Sequence, residues 1–184
     1  MFIALRDLTF AKGRFLLMAT VVALVAFLLT ILSGLSTGLI RNNISALMAL
    51  DISHIAFEYN DKPSYRNSMV DREMWEGWRE HPSVIDTQPL GHTMFNARTK
   101  DDLPLNEVVL WGIEPGSFLE PAVNRGEQLG RLENGVVIAS KMVEKGIDIG
   151  DVLILDRVLT ELEVIGVTDE HYIGHVPVIY TLLP

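Results

Sequence analysis

Phe15–Ile40 reads FLLMATVVALVAFLLTILSGLSTGLI, bounded by Arg14 and Arg41, with no charged side chain between them. As a helix rising ~1.5 Å per residue it reaches roughly 39 Å, against a bilayer hydrocarbon core of about 30 Å. Up to Leu32 it is apolar apart from Thr20 and Thr30; from Ser33 to Gly38 it becomes small and weakly polar. Helices of soluble proteins bury one stripe and are seldom apolar on every face for this length. The stretch therefore predicts a transmembrane helix over residues 15–40.

The flanks predict its direction. Arg6, Lys12 and Arg14 precede it, whereas only Arg41 follows before Lys62. Positive charge stays inside, so the N-terminus is expected in the cytoplasm and residues beyond Arg41 outside the plasma membrane. A cleaved signal peptide is the competing reading, with Ser36 and Gly38 as a small-residue cleavage site. Signal cores run about 7–15 residues, shorter than this one. Residues 1–14 carry Phe2, Ile3, Leu5, Leu8 and Phe10 among charges, which suits an amphipathic lead-in at the cytoplasmic interface.

The rest of the 184 residues suffices for one extracytoplasmic domain, expected over 51–184 behind a helical stalk at 41–50. The net charge of −9 divides at the membrane, +2 over residues 1–40 and −11 beyond. An acidic domain of this kind argues against nucleic acid as a partner. There is no cysteine, which excludes a disulfide framework, a zinc–thiolate site, a thiol nucleophile and lipoprotein acylation.

The domain reads as mixed α and β, an α+β fold class. Strands are expected at His54–Tyr59, Val84–Leu90, His92–Ala97, Glu107–Ile113, Val136–Ala139, Asp151–Leu155, Glu161–Val167 and Pro177–Leu182. Turns are expected at Gly91, at Lys100-Asp101-Asp102, at Pro115-Gly116 and at Asn134-Gly135. Ser68 and Asp71 form a capping pattern before a helix reaching about Glu80, with Met74, Trp75 and Trp78 on its apolar side. Ser140–Lys145 suits one or two helical turns.

At the outer end of the span, Gly34 and Gly38 form a GxxxG pair, with Thr30 a turn earlier and Ser33 and Thr37 beside it. Small residues at this spacing let a second helix approach closely, and hydroxyls can bond across the contact. No Walker A, GxSxG or HExxH pattern occurs. His171 and His175 have the spacing of two metal or heme ligands on one helix face, but Gly174 and Pro177 oppose a helix there. A pair of loop histidines beside the last strand is the simpler reading. Trp75, Trp78 and Trp111 could line an apolar groove, but core packing is the better account of them.

Four stretches together resemble the ABC-transporter permeases of the FtsX-like, MacB (macrolide-exporter) type. They are ALRDLTFAKGRF at the N-terminus, SGLSTGL with NNISALMAL, WGIEPGSFLEP, and GVVIASKMVEKGIDIGDVLIL followed by LEVIGV. The spacing around the second is most like the branch with heme exporters and DevC-like glycolipid exporters. The resemblance implies one transmembrane helix, a MacB-like external domain, and three further helices beyond Pro184, so that this chain is the N-terminal part of a permease. It also implies that a separate cytoplasmic ABC ATPase subunit hydrolyses ATP, that this chain is no enzyme and holds no cofactor or metal, and that a second permease copy completes a homodimer. On that reading Arg6 and Arg14 meet the ATPase and Gly34 and Gly38 pack the dimer. Ser33, Ser36, Thr37 and Asn42 then border a cavity for a hydrophobic or amphipathic compound. A single-pass anchored binding or sensor module is the alternative from another class.

Overall fold

A computed structural model describes residues 11–59, 67–156, 158–169 and 171–183, with the backbone alone for 41, 42 and 106. Two compact units divide the chain, Met1–Arg41 and Asn42–Pro184.

In the first unit, helix α1 runs Lys12–Asn43, its last two residues belonging to the second unit. Lys12–Ile40 is long and apolar enough to cross a membrane, and its side chains are exposed throughout. Thr20, Thr30 and Thr37 donate their hydroxyls to the carbonyls of Leu16, Ala26 and Ser33 at 2.8–2.9 Å. Bonding back onto the preceding turn lets these hydroxyls sit in an apolar stretch without an outside partner.

The expected stalk is not a single helix. Ile44 adopts φ −126° and ψ 22°, and a short helix α2 (Ser45–Met48) follows. The break has a tertiary cause. Gly174 N–H donates to the Asn43 carbonyl at 2.7 Å, and Tyr172 N–H donates to Ser45 Oγ at 2.8 Å. Two bonds to the domain outweigh the few tenths of a kcal/mol that one β-branched residue gains by remaining helical.

Helix α3 (Arg72–Arg79) lies where the sequence placed a helix, but its cap falls at Asp71, three residues beyond Ser68, the capping residue of the expected box. Asp71 is its N-cap and accepts Met74 N–H at 2.8 Å, while Met74, Trp75 and Trp78 are the half-buried face. Ser68 instead accepts Glu58 N–H, and Met69 N–H closes onto Glu58 Oε2.

The remaining elements are β1 (Gly91–Thr99), β2 (Pro104–Ile113), β3 (Arg125–Gly126), β4 (Gly135–Ala139), α4 (Ser140–Glu144), β5 (Val152–Leu155), β6 (Glu161–Thr168), β7 (Tyr172–Ile173) and β8 (Val176–Leu182). The strands pair in the order β2-β1-β5-β6-β4-β8, and β8 pairs back onto β2, so the sheet closes on itself. The β4–β6 and β2–β8 pairs are parallel and the other pairs of the ring antiparallel. β3 attaches to β6 and β7 to β8.

Closure explains two corrections. His54–Tyr59 alternates as a strand does and Val84–Leu90 is expected as one, yet neither is a strand, and Gly91 begins β1 rather than turning between strands. A strand needs a free edge, and a closed ring leaves few. The expected turn at Lys100-Asp101-Asp102 does join β1 and β2, with Asp102 at φ +64°. The β5–β6 hairpin and the final strand also lie where the sequence placed them.

Alternation along the strands produces two cores. Facing one way are Ala97, Leu105, Val108, Val136, Ile138, Leu153, Leu162, Val164 and Ile179, drawn from every strand of the ring and joined by Met142 and Ile147. Facing the other way, Val109, Trp111 and Ile113 of β2, Val137 of β4, and Val178 and Tyr180 of β8 form a second core. Ala46 of α2 is fully buried there, with Leu119, Leu129 and half-buried Leu47, Leu50 and Ile52. Two bulges preserve this division. An extra residue in β2 between Leu105 and Val108, and another in β6 at Ile165, lets side chains of opposite parity face the same way.

Candidate functional site

The sequence-proposed residues fall mainly on α1. Arg6 lies outside the described residues. Arg14 sits in the first turn, exposed. At about 100° per residue, Thr30, Ser33, Gly34, Thr37 and Gly38 share one face, whereas Ser36 points well away from it. A Cβ added at Gly34 or Gly38 would meet nothing within 4 Å, so both leave open space beside the helix. Thr37 spends its hydroxyl proton on Ser33 O, which leaves its oxygen as an acceptor toward that face. Asn42 lies in the final turn, with its backbone alone described.

The second unit holds a site that sequence reasoning did not assemble. Tyr172 and Gly174, in the β7–β8 hairpin, grip Ser45 and Asn43 as described above, and Ala46 inserts into the second core. The hairpin is tight because Gly174 takes φ +66° at the first central position of its turn, followed by His175, which is exposed. Immediately before β7, His171 is buried, and its Nδ1 lies 2.7 Å from Tyr180 Oη. Trp111 stands edge-on to Tyr180 with ring centroids 5.6 Å apart, and its Nε1–H donates to His92 Nδ1. The tryptophan is thus a core residue, not a groove lining.

A cavity of about 180 Å³ opens beside this cluster, lined among others by Ala49, Leu50, Phe118, Leu119, Glu120, Asp169, His171 and Tyr180. Its carboxylates are already engaged. Glu120 accepts Gly116 N–H and Leu129 N–H, and Asp169 accepts Asn124 Nδ2–H at 2.6 Å. Burial holds the His171 pKa below the usual 6.5, and the nearby Asp169 charge offsets this only in part. Among the described residues no group of three or more His, Asp or Glu side chains could hold a metal ion. His171 and His175 do not act together: one is buried on Tyr180, the other exposed on the turn. The sequence singled out His171 through that pairing, but its actual partner, nine positions on in the last strand, left no local signal.

By sequence, the chain is 22% identical over 177 residues to a Staphylococcus haemolyticus (strain JCSC1435) protein named as a hemin transport system permease, HrtB. Over nearly its whole length the chain is similar to part of that permease. The alignment takes in 94% of this chain but 47% of the relative, so the chain spans about half of that protein's length. No family model matches. Among solved structures, the extracellular domain of the noncanonic ABC-type transporter YknZ from Gram-positive bacteria aligns with a TM-score of 0.47 and 18% identity, over 60% of this chain and 61% of that one. The periplasmic region of MacB from Actinobacillus actinomycetemcomitans aligns at 0.44 and 16%, over 59% and 52%. The permease resemblance carried by the sequence motifs agrees with the likeness to the HrtB protein.

Proposed function

We propose that this chain is the N-terminal part of a permease subunit of an ATP-driven exporter, and that it moves an amphipathic compound outward without catalysing a reaction. The observation that supports this best is chain continuity. An apolar helix of membrane-spanning length leads within two residues into α2, and the external domain holds this junction by one hydrogen bond to Asn43, one to Ser45, and the buried Ala46. Displacement of the helix end is thereby delivered to a closed barrel, which resists deformation because every ring strand is paired on both sides.

In this reading the N-terminus is cytoplasmic and the domain faces outward. A separate ATPase subunit binds and hydrolyses ATP, and Arg6 and Arg14 pair with acidic groups on it. Gly34 and Gly38 seat a second permease copy, while Ser33, Ser36, Thr37 and Asn42 border the compound's path at the outer leaflet. This chain holds no cofactor or metal of its own, and nucleic acid is not a partner. The relative's name makes hemin the first compound to test.

The test joins this chain to the downstream region of its gene and to a neighbouring ATPase, then follows ATP-dependent loss of hemin and of amphipathic dyes from cells. Reversal of Arg6 or Arg14 to Glu is expected to leave ATP hydrolysis running while export fails, since attraction at the interface becomes repulsion. Orientation is checked in the same variants, because these charges also direct insertion. Export of no compound by the intact assembly would favour an anchored sensor instead.

A further inference from the structure

The β7–β8 hairpin holds the end of the helical segment through two backbone amides, Tyr172 N–H on Ser45 Oγ and Gly174 N–H on Asn43 O. The residue before Tyr172 is His171, whose ring is buried on Tyr180 and whose carbonyl accepts Val178 N–H at 3.0 Å. The cavity on which His171 opens is walled on one side by Ala49 and Leu50, just beyond α2. Holding bonds, buried imidazole and cavity wall are therefore contiguous. We infer that His171 is a proton-operated latch, which releases residues 43–50 from the β7–β8 hairpin when its ring becomes charged.

The chemistry follows from the geometry. In the neutral ring, Nδ1 can accept the Tyr180 hydroxyl proton. Once charged, both ring nitrogens are donors, so Tyr180 must turn from donor to acceptor. The positive ring then faces Leu50, Phe118 and Leu119, which cannot solvate it. The described titratable and charged groups around it are Asp169 on its own connection, Glu120 from the segment between β2 and β3, and Tyr180 of β8. Lys141 of α4 lies 5.7 Å from the neighbouring Tyr172 ring. Asp169 favours the charged ring but is shared with Asn124, and Glu120 is committed to two backbone amides. The charged ring gains most by fuller access to water through the cavity, and widening the cavity on its Ala49–Leu50 side provides it.

A free imidazole titrates near 6.5, and burial lowers that value in the closed state. A proton bound more tightly on opening shifts the equilibrium toward the open form between pH 7.5 and 5.5, by at most about tenfold. The latch rests on the permease reading for its purpose, as a control on coupling between helix and domain, but not for its test.

The experiment uses the full chain in lipid nanodiscs, with no ATPase and no transported compound. Hydrogen exchange at the Tyr172 and Gly174 amides is measured at pH 7.5 and 5.5 and corrected for the intrinsic effect of pH. Their protection is expected to fall severalfold, up to about tenfold, and in His171→Gln, which retains a hydrogen-bonding side chain but cannot titrate, to change less than twofold. Equal falls in both proteins, or unchanged protection in the native chain, overturn the latch. Should the variant not fold, NMR titration of the His171 ring in the native chain decides: its midpoint must lie below 6.5 and coincide with the loss of protection. A midpoint at or above 6.5 also refutes it. Failure here leaves the export assay untouched, and failure of that assay leaves the exchange result standing.

Discussion

Gly166 lies in LEVIGV, one of the stretches behind the permease resemblance, and the structure gives it a physical duty. A Cβ built there would stand 2.5 Å from the Glu127 carbonyl oxygen, 3.2 Å from Val123 Cγ1 and 3.3 Å from Val137 Cγ2. The first contact is with backbone, which cannot rotate aside. Nor can that backbone simply retreat, because Glu127 N–H is bonded to Ile165 O at 2.9 Å and β3 pairs Gly126 with Gly166. Gly166→Ala must therefore either break the β3–β6 attachment or push β6 into Val137. Overpacking of this kind costs about 1–3 kcal/mol, and each backbone hydrogen bond lost adds about 1 kcal/mol. We expect a total of about 2–4 kcal/mol, or a fall in Tm of roughly 8–15 °C for a domain of this size. Gly146→Ala supplies the contrast: Gly146 takes φ +90° but its added Cβ would meet nothing within 4 Å, so only backbone strain of about 1–2 kcal/mol applies. Thermal unfolding of both variants, followed by far-UV circular dichroism in detergent, measures the difference. A Gly166→Ala protein within about 0.5 kcal/mol of native, or no less stable than Gly146→Ala, would refute the close-approach argument.

Gly34→Leu and Gly38→Leu should insert normally, since neither glycine has a neighbour that leucine would strike, but should weaken self-association of the full-length permease by about 1–2 kcal/mol. Unchanged crosslinking between cysteines at Ser33 or Thr37 in these variants would show that this face meets lipid. Because the chain lacks cysteine, single cysteines at Thr9 and Asp101 should label from opposite sides of intact cells, Asp101 from outside. Labelling of both from one side would overturn the topology. Because burial lowers the His171 pKa, the unfolded state binds the extra proton, so stability is full above about 6.5 and declines as pH falls below it. His171→Gln should flatten that part of a denaturation-against-pH curve; an unchanged slope would assign it to other groups.

Legibility followed the range of the interaction. The apolar run Phe15–Ile40 was decisive on its own, because crossing a bilayer needs only length and composition. The apolar face of α3, the Lys100–Asp102 turn, the β5–β6 hairpin and the Asn134-Gly135 entry to β4 depend on neighbours a few residues away, and their residue types declared them. His54–Tyr59 has a strand's alternation, but whether a strand forms depends on an available edge, and the β2–β8 pairing that closes the ring joins segments some seventy residues apart. The break at Ile44 was hidden for the same reason: its cause is the Tyr172 and Gly174 amides, far away in sequence. His171 shows the division most clearly. Its spacing to His175 pointed to a ligand pair, and only the fold, by laying β8 beside it, gave it Tyr180, burial and a lowered pKa.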